Sequence, residues 1–224
     1  MGIYRTAWKS VELIAQGTIM PFSTVSLPTL AKLQSDRTAF KSAYLRIVAV
    51  SAAISFPCIV GFGLLADKLI PLIYGAQWEP SVPVAQVLTF LVVPYALNFF
   101  ADPALTAIGR ADVIFRLALV QLAGTVVFCS LAAPFGLTAV AMAYVVRSYL
   151  TLALQLWLFN RATSVRPLVV LRAIAPPMAA VATMAVAVLL LGLAKSQFAN
   201  AWVFVVCAAL LGAAVYGLAL GLMV

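Results

Sequence analysis

Apolar residues run along this chain in seven long stretches separated by short polar breaks, at residues 2–32, 43–66, 82–108, 112–133, 136–160, 167–194 and 200–224. Each is too long for a strand. A helix rises about 1.5 Å per residue, so roughly 20 apolar residues cross a hydrocarbon core about 30 Å thick. The pattern therefore predicts an all-α, polytopic transmembrane helical bundle of about seven helices, forming one domain over residues 1–224. Turn signals fall between the runs, at Tyr74-Gly75, Gly109-Arg110 and Pro134-Phe135-Gly136. Prolines interrupt several of them. Breaks are expected near Pro21 and Pro28, and Pro57, Pro94 and the Pro176-Pro177 pair remove backbone donors that neighbouring helices must replace.

Composition narrows the reading further. Of 224 residues, 65% are hydrophobic and 9% are charged, with a mean hydropathy of +1.13, whereas soluble domains carry about 25% charged residues. The net charge of +8 is explained by topology without invoking nucleic acid. Lys32, Arg37, Lys41, Arg46, Arg110, Arg116, Arg161, Arg166 and Arg172 are nine of the 14 basic residues, and all flank alternate loops, which marks the cytoplasmic side. Arg5, Lys9, Lys68 and Lys195 fall on the other side, and Arg147 lies mid-span. The first helix then starts outside, although Arg5 and Lys9 favour an inside amino terminus. That conflict, with the odd helix number, leads us to expect further helices upstream in a longer transporter. His is absent and three Cys lie in apolar runs, so no metal, cofactor or catalytic site is expected. Tyr74, Trp78, Trp157 and Trp202 sit near helix ends as interfacial anchors. Gly217 and Gly221, and Ala208 and Gly212, form small-residue pairs suited to close helix packing.

Two polar stripes carry candidate chemistry. Around Arg147, a cation near the middle of its span, Tyr144, Ser148, Thr151 and Gln155 recur at spacings of four, three and four. A charge at that depth is costly, so the stripe should face the bundle interior or a wet cavity. In the first helix Arg5, Lys9, Glu12 and Gln16 recur at four, three and four, forming one face. Either this face lines a cavity, with Glu12 as a candidate for ion coupling, or Lys9 and Glu12 neutralise one another near the outer interface. Asp112 and Arg116 form a four-apart pair, and Asp112 is suited to cap its helix. Asp102, before Pro103, is expected to cap a short resumed turn. Gln86, Asn98, Gln121 and Thr125 are further candidates for a polar lining, and the cluster from Lys32 to Arg46 could attract anionic lipid headgroups.

The segments GIYRTAW, VELIAQGTIMPFSTVSLPTLAKLQSD, LIPLIYGAQW, AIGRADVIFRLALVQ and APFGLTAVAMAYVVRSYL, in this order, resemble the carboxy-terminal half of Wzx-type polysaccharide transporters. These belong to the multidrug, oligosaccharidyl-lipid and polysaccharide flippase superfamily. The resemblance implies the second bundle of a two-bundle flippase in the bacterial inner membrane, working by alternating access. It implies an undecaprenyl-pyrophosphate-linked oligosaccharide as substrate, for exopolysaccharide or lipopolysaccharide biosynthesis. The partners it implies are this anionic lipid-linked oligosaccharide, membrane lipids and other polysaccharide assembly proteins. A guanidinium fits a pyrophosphate through paired charged hydrogen bonds, so Arg147 is the candidate contact. The competing reading is that Arg147 pairs with a carboxylate or carbonyls and locks two helices. At the level of the whole chain the alternatives are an ion-coupled multidrug exporter, a non-transporting membrane subunit, or a degenerate fragment.

Overall fold

The computed structural model describes residues 2–193 and 200–223. Lys195 and the outermost ends of the last two apolar runs, Ala194 and Val224, lie outside them. The described residues contain eight α-helices: α1 (Gly2–Lys32), α2 (Arg37–Tyr74), α3 (Val82–Thr89), α4 (Val92–Ala107), α5 (Ala111–Ala132), α6 (Leu137–Thr163), α7 (Pro167–Leu193) and α8 (Ala201–Met223). The fold is all-α. Five helices, α2 and α5 to α8, are long and apolar enough to cross a membrane, and α3 with α4 makes a sixth as one bent span. α1 completes the seven-segment pattern, but its polar side chains keep it below that apolarity.

α1 runs unbroken through Pro21 and Pro28, contrary to the breaks expected there. A proline removes one backbone donor, and a helix supported by neighbours and by local hydroxyls absorbs that loss. Next to the prolines the Thr24 hydroxyl donates to the Pro21 carbonyl at 2.9 Å and Thr29 to Val25 at 2.7 Å, bonds within the helix that do not reach the Gly17 and Thr24 carbonyls the prolines leave. The inner face of α1 is a fully buried row, Ala7, Val11, Ala15 and Ile19, at a spacing of four.

α2 extends well beyond its apolar run, over 38 residues. Its start is set by Asp36, whose carboxylate accepts from the Thr38 and Ala39 amides at 2.9 and 3.0 Å. Polar residues at both ends lower the hydropathy without lowering helix propensity, so hydropathy alone gave a helix that was too short. It stops at Gly75, which has a φ of 96° that a side chain would strain.

The run over residues 82–108, expected as one helix, is two helices bent by 58°. Pro94 cannot donate to the Phe90 carbonyl four residues earlier, and the chain tightens there: Phe90 and Leu91 amides bond back three residues, to Val87 and Leu88. Tyr149 of α6 donates its hydroxyl to the Phe90 carbonyl at 2.9 Å. A side chain from another helix thus replaces the donor that proline lacks.

Helix ends can be assigned to two sides. The Gly2 Cα packs against the Trp78 ring, since a Cβ there would lie 3.2 Å from it, and Tyr44 packs on Phe159 with centroids 4.7 Å apart. The α1 start and the 75–81 turn therefore share one end, while the starts of α2 and α7 share the opposite end with the α6 terminus. The basic groups from Arg37 to Arg46 and from Arg161 to Arg172 fall together at that second end, as the charge pattern requires. There Arg161 lies over the Trp157 ring at 4.0 Å.

One large core joins α1 to α6 and the start of α7, and a smaller one joins α7 and α8 to α2. Of the small-residue pairs, Ala208 and Gly212 do the packing: Ala208 is fully buried and a Cβ on Gly212 would lie 3.3 Å from Val188. Gly217 and Gly221 have no such neighbour among the described residues. Asp112 departs from expectation too. It pairs with Arg110, Nε to Oδ1 at 2.8 Å and Nη2 to Oδ2 at 3.1 Å, because the turn before α5 brings Arg110 closer than Arg116. Arg110, not Asp112, holds the N-cap position. Asp102 lies inside the continuous α4 and caps nothing, Pro103 being accommodated without a break.

Candidate functional site

The α6 stripe turns inward. Arg147 is 5% exposed, and Ser148, Thr151 and Gln155 are equally buried, while Tyr144 is half-buried. The two hydroxyls spend their protons on their own helix: Ser148 donates to the Tyr144 carbonyl at 2.8 Å and Thr151 to the Arg147 carbonyl at 3.0 Å. They therefore offer little to a ligand in this conformation. The chemistry of the stripe concentrates on Arg147.

Three neighbours define the guanidinium site. Its Cζ lies 4.3 Å from the centroid of the Tyr144 ring, a cation–π distance. Its aliphatic stem lies against α5 at Gly124, where a Cβ would come within 3.2 Å of the Arg147 side chain. Trp8 of α1 meets Tyr144 edge-on with centroids 5.0 Å apart. Tyr4 stacks one turn further along α1, 6.3 Å from Trp8, and Tyr95 of α4 lies within electrostatic range of Arg147, Tyr144 and Glu12.

Among the described residues no counter-charge pairs with this cation. The ion pairs among the described residues join Lys9 to Glu12, Lys68 to Asp67 and Arg110 to Asp112, and none includes Arg147. Its Nε is buried with no hydrogen-bond partner among the described residues. A buried cation normally has a partner, so an anion of pairing geometry would complete this arrangement.

The α1 stripe behaves differently. Lys9 Nζ lies 3.1 Å from Glu12 Oε2, and Gln16 donates to Glu12 Oε1 at 3.1 Å. Arg5 and Lys9 are exposed, while Glu12 and Gln16 are half-buried. Lys9, Glu12 and Gln16 thus form one connected polar row, with both Glu12 oxygens engaged. Tyr95 of α4 lies within electrostatic range of both Glu12 and Arg147.

A separate apolar cavity of about 890 Å³ lies between α1, α2, α7 and α8, with Leu13, Phe62, Met184 and Tyr216 among its walls. No residue of either stripe lines it. Sequence reasoning missed Trp8, Tyr4, Tyr95 and Gly124 at the cationic site. The spacing of Tyr4 and Trp8, one helical turn apart, was an available signal. Their approach to α6 was not readable from spacing.

The family model described as "Polysaccharide biosynthesis protein" matches residues 1–83. Teichuronic acid biosynthesis protein TuaB of Bacillus subtilis (strain 168) is 27% identical over 115 residues, covering 51% of this chain and 24% of that protein. Lipopolysaccharide biosynthesis protein WzxC of Escherichia coli (strain K12) is 26% identical over 116 residues, 51% of this chain and 23% of that protein. A membrane protein of the cps region in Klebsiella pneumoniae, of uncharacterised function, is 29% identical over 86 residues, 38% of this chain and 17% of that protein. The chain thus aligns with about a quarter or less of the length of these curated relatives. No solved structure matches it. The segments quoted from the amino-terminal region lie within the matched residues, and over them the chain is similar to polysaccharide biosynthesis proteins, WzxC among them.

Proposed function

We propose that the chain forms part of a bacterial inner-membrane transporter, not an enzyme. It moves an undecaprenyl-pyrophosphate-linked oligosaccharide from the cytoplasmic to the outer leaflet, and Arg147 contacts the pyrophosphate. The observation that carries this reading is a guanidinium buried without a carboxylate partner among the described residues. A cation of this kind is expensive to keep for packing alone, since a structural arginine would have an acid beside it. Two phosphate groups supply the missing acceptors and match its planar fork. Similarity to proteins of lipopolysaccharide and teichuronic acid biosynthesis supports the substrate class. The α1 row of Arg5, Lys9, Glu12 and Gln16 lies at the bundle edge, where a second bundle would meet it across a cleft. There it attracts the anionic headgroup, and Glu12 carries the coupling proton.

The test is export in a flippase-deficient strain expressing the chain together with any adjoining coding sequence. Arg147→Ala should abolish surface polysaccharide with the protein still inserted at normal level, and Arg147→Lys should restore only part of it. Full export by a stable Arg147→Ala protein would remove Arg147 from the substrate path.

A further inference from the structure

Arg147 is buried in this conformation, and the aromatic contact beside it joins two helices that are not close neighbours along their backbones. α1 packs on α2, α3 and α4, and α6 packs on α5, α3 and α4. Between them the rings of Trp8 and Tyr144 touch at 5.0 Å, and the same Tyr144 ring carries the guanidinium, its Cζ 4.3 Å from the centroid. Tyr4 extends the column by one ring. On the remaining side α5 approaches closely at Gly124, where a Cβ would lie 3.2 Å from the Arg147 stem.

We infer that Trp8 and Tyr144 form an aromatic gate over Arg147, closed in this conformation, which parts when α1 moves away from α6 and admits a pyrophosphate headgroup. The inference rests on the reading of Arg147 as the anion site. Its physical basis is competition. An edge-on aromatic pair and a cation–π contact hold the closed state, and neither survives once the guanidinium turns towards phosphate oxygens. The unpartnered Nε leaves a donor ready for the anion, so opening exchanges two weak contacts for charged hydrogen bonds. A ligand that binds only the open state is weakened by the fraction of time the gate stays shut. Trp8 and Tyr144 are therefore positioning residues, acting on affinity through Arg147.

The experiment uses a protein in lipid nanodiscs with Trp8 as its single tryptophan, Trp78, Trp157 and Trp202 being changed to Phe. Two quantities are read together: equilibrium binding of polyprenyl pyrophosphate, and Trp8 emission. Binding should shift Trp8 emission to the red, and Trp8→Leu, in the parent protein, should tighten binding by about two- to tenfold, the range an aromatic pair commands. Trp8→Phe, which keeps an edge contact, should fall between, and it serves where Trp8→Leu does not fold. Inorganic pyrophosphate that produces the same red shift would support the gate with the headgroup alone as the key; polyprenyl monophosphate should bind more weakly with a smaller shift. Binding with unchanged Trp8 emission and unchanged affinity in both variants would overturn the gate while leaving Arg147 as the anion site. Weaker binding in Trp8→Leu and Trp8→Phe would overturn it as well, assigning Trp8 to direct substrate contact. Binding undiminished by Arg147→Ala would overturn both readings.

Discussion

The Tyr216 hydroxyl donates to the Ala53 carbonyl at 2.6 Å, and Ala53 stands four residues before Pro57, the position whose missing N–H would have bonded that carbonyl. α8 therefore completes the backbone of α2. Tyr149 does the same for α4, donating to Phe90 four residues before Pro94. Two prolines in apolar helices are each balanced by a tyrosine from a different helix, which is how a hydrocarbon environment tolerates a broken ladder.

The Tyr216 bond should be measurable by a double-mutant cycle. Tyr216→Phe alone should destabilise the protein by about 0.5–1.5 kcal/mol, read as thermal unfolding in detergent. Combined with Pro57→Ala, which restores the backbone donor, the same substitution should cost clearly less. Equal costs in both backgrounds would show that the hydroxyl is not serving the orphaned carbonyl.

The bend between α3 and α4 should depend on Pro94. Spin labels at Gln86 and Thr106, both exposed, should move apart in Pro94→Ala as the two helices straighten. Tyr149→Phe should broaden the distance distribution without moving its mean as far. An unchanged distribution in Pro94→Ala would place the cause of the bend in packing.

Close approach of α2 and α3 gives a third expectation. A Cβ on Gly63 would fall 2.6 Å from the Thr89 side chain, whereas one on Gly17 would meet nothing within 4 Å. Gly63→Ala should cost about 1–3 kcal/mol by overpacking, partly relieved by Thr89→Ala. Gly17→Ala should be neutral or slightly stabilising, since alanine favours the helix. The comparison is made by unfolding midpoint in one detergent.

Much of this was legible in the residues and some was not. The apolar runs gave the helices, and glycine marked the turns at Gly75, Gly109 and Gly136, all with positive φ. The inward face of α6 followed from spacing, because a 3.6-residue period fixes which side chains share a side. Helix ends were less legible: α2 reaches from Arg37 to Tyr74 because polar residues that end an apolar run need not end a helix. Pro94 announced a disturbance, yet the tyrosine that repairs it lies 59 positions from the Phe90 carbonyl it serves. The Trp8–Tyr144 contact was hidden for the same reason, since one-dimensional spacing carries no information on which helices are neighbours. The hydroxyls of Ser148 and Thr151 looked like cavity lining and are instead turned back on their own helix.

Arg147 distinguishes function from architecture by the sign of its effect on stability. A cation that locked helices would weaken the fold when removed, whereas a buried cation awaiting an anion strains the empty protein and strengthens the loaded one.

The direct measurement is the unfolding midpoint of the parent protein and of Arg147→Met, each with and without polyprenyl pyrophosphate. Arg147→Met should start at a higher midpoint, by a gain of about 1 kcal/mol or more, and should not respond to the ligand that raises the midpoint of the parent. A variant that starts lower and still responds to the ligand in full would contradict Arg147 as the anion site.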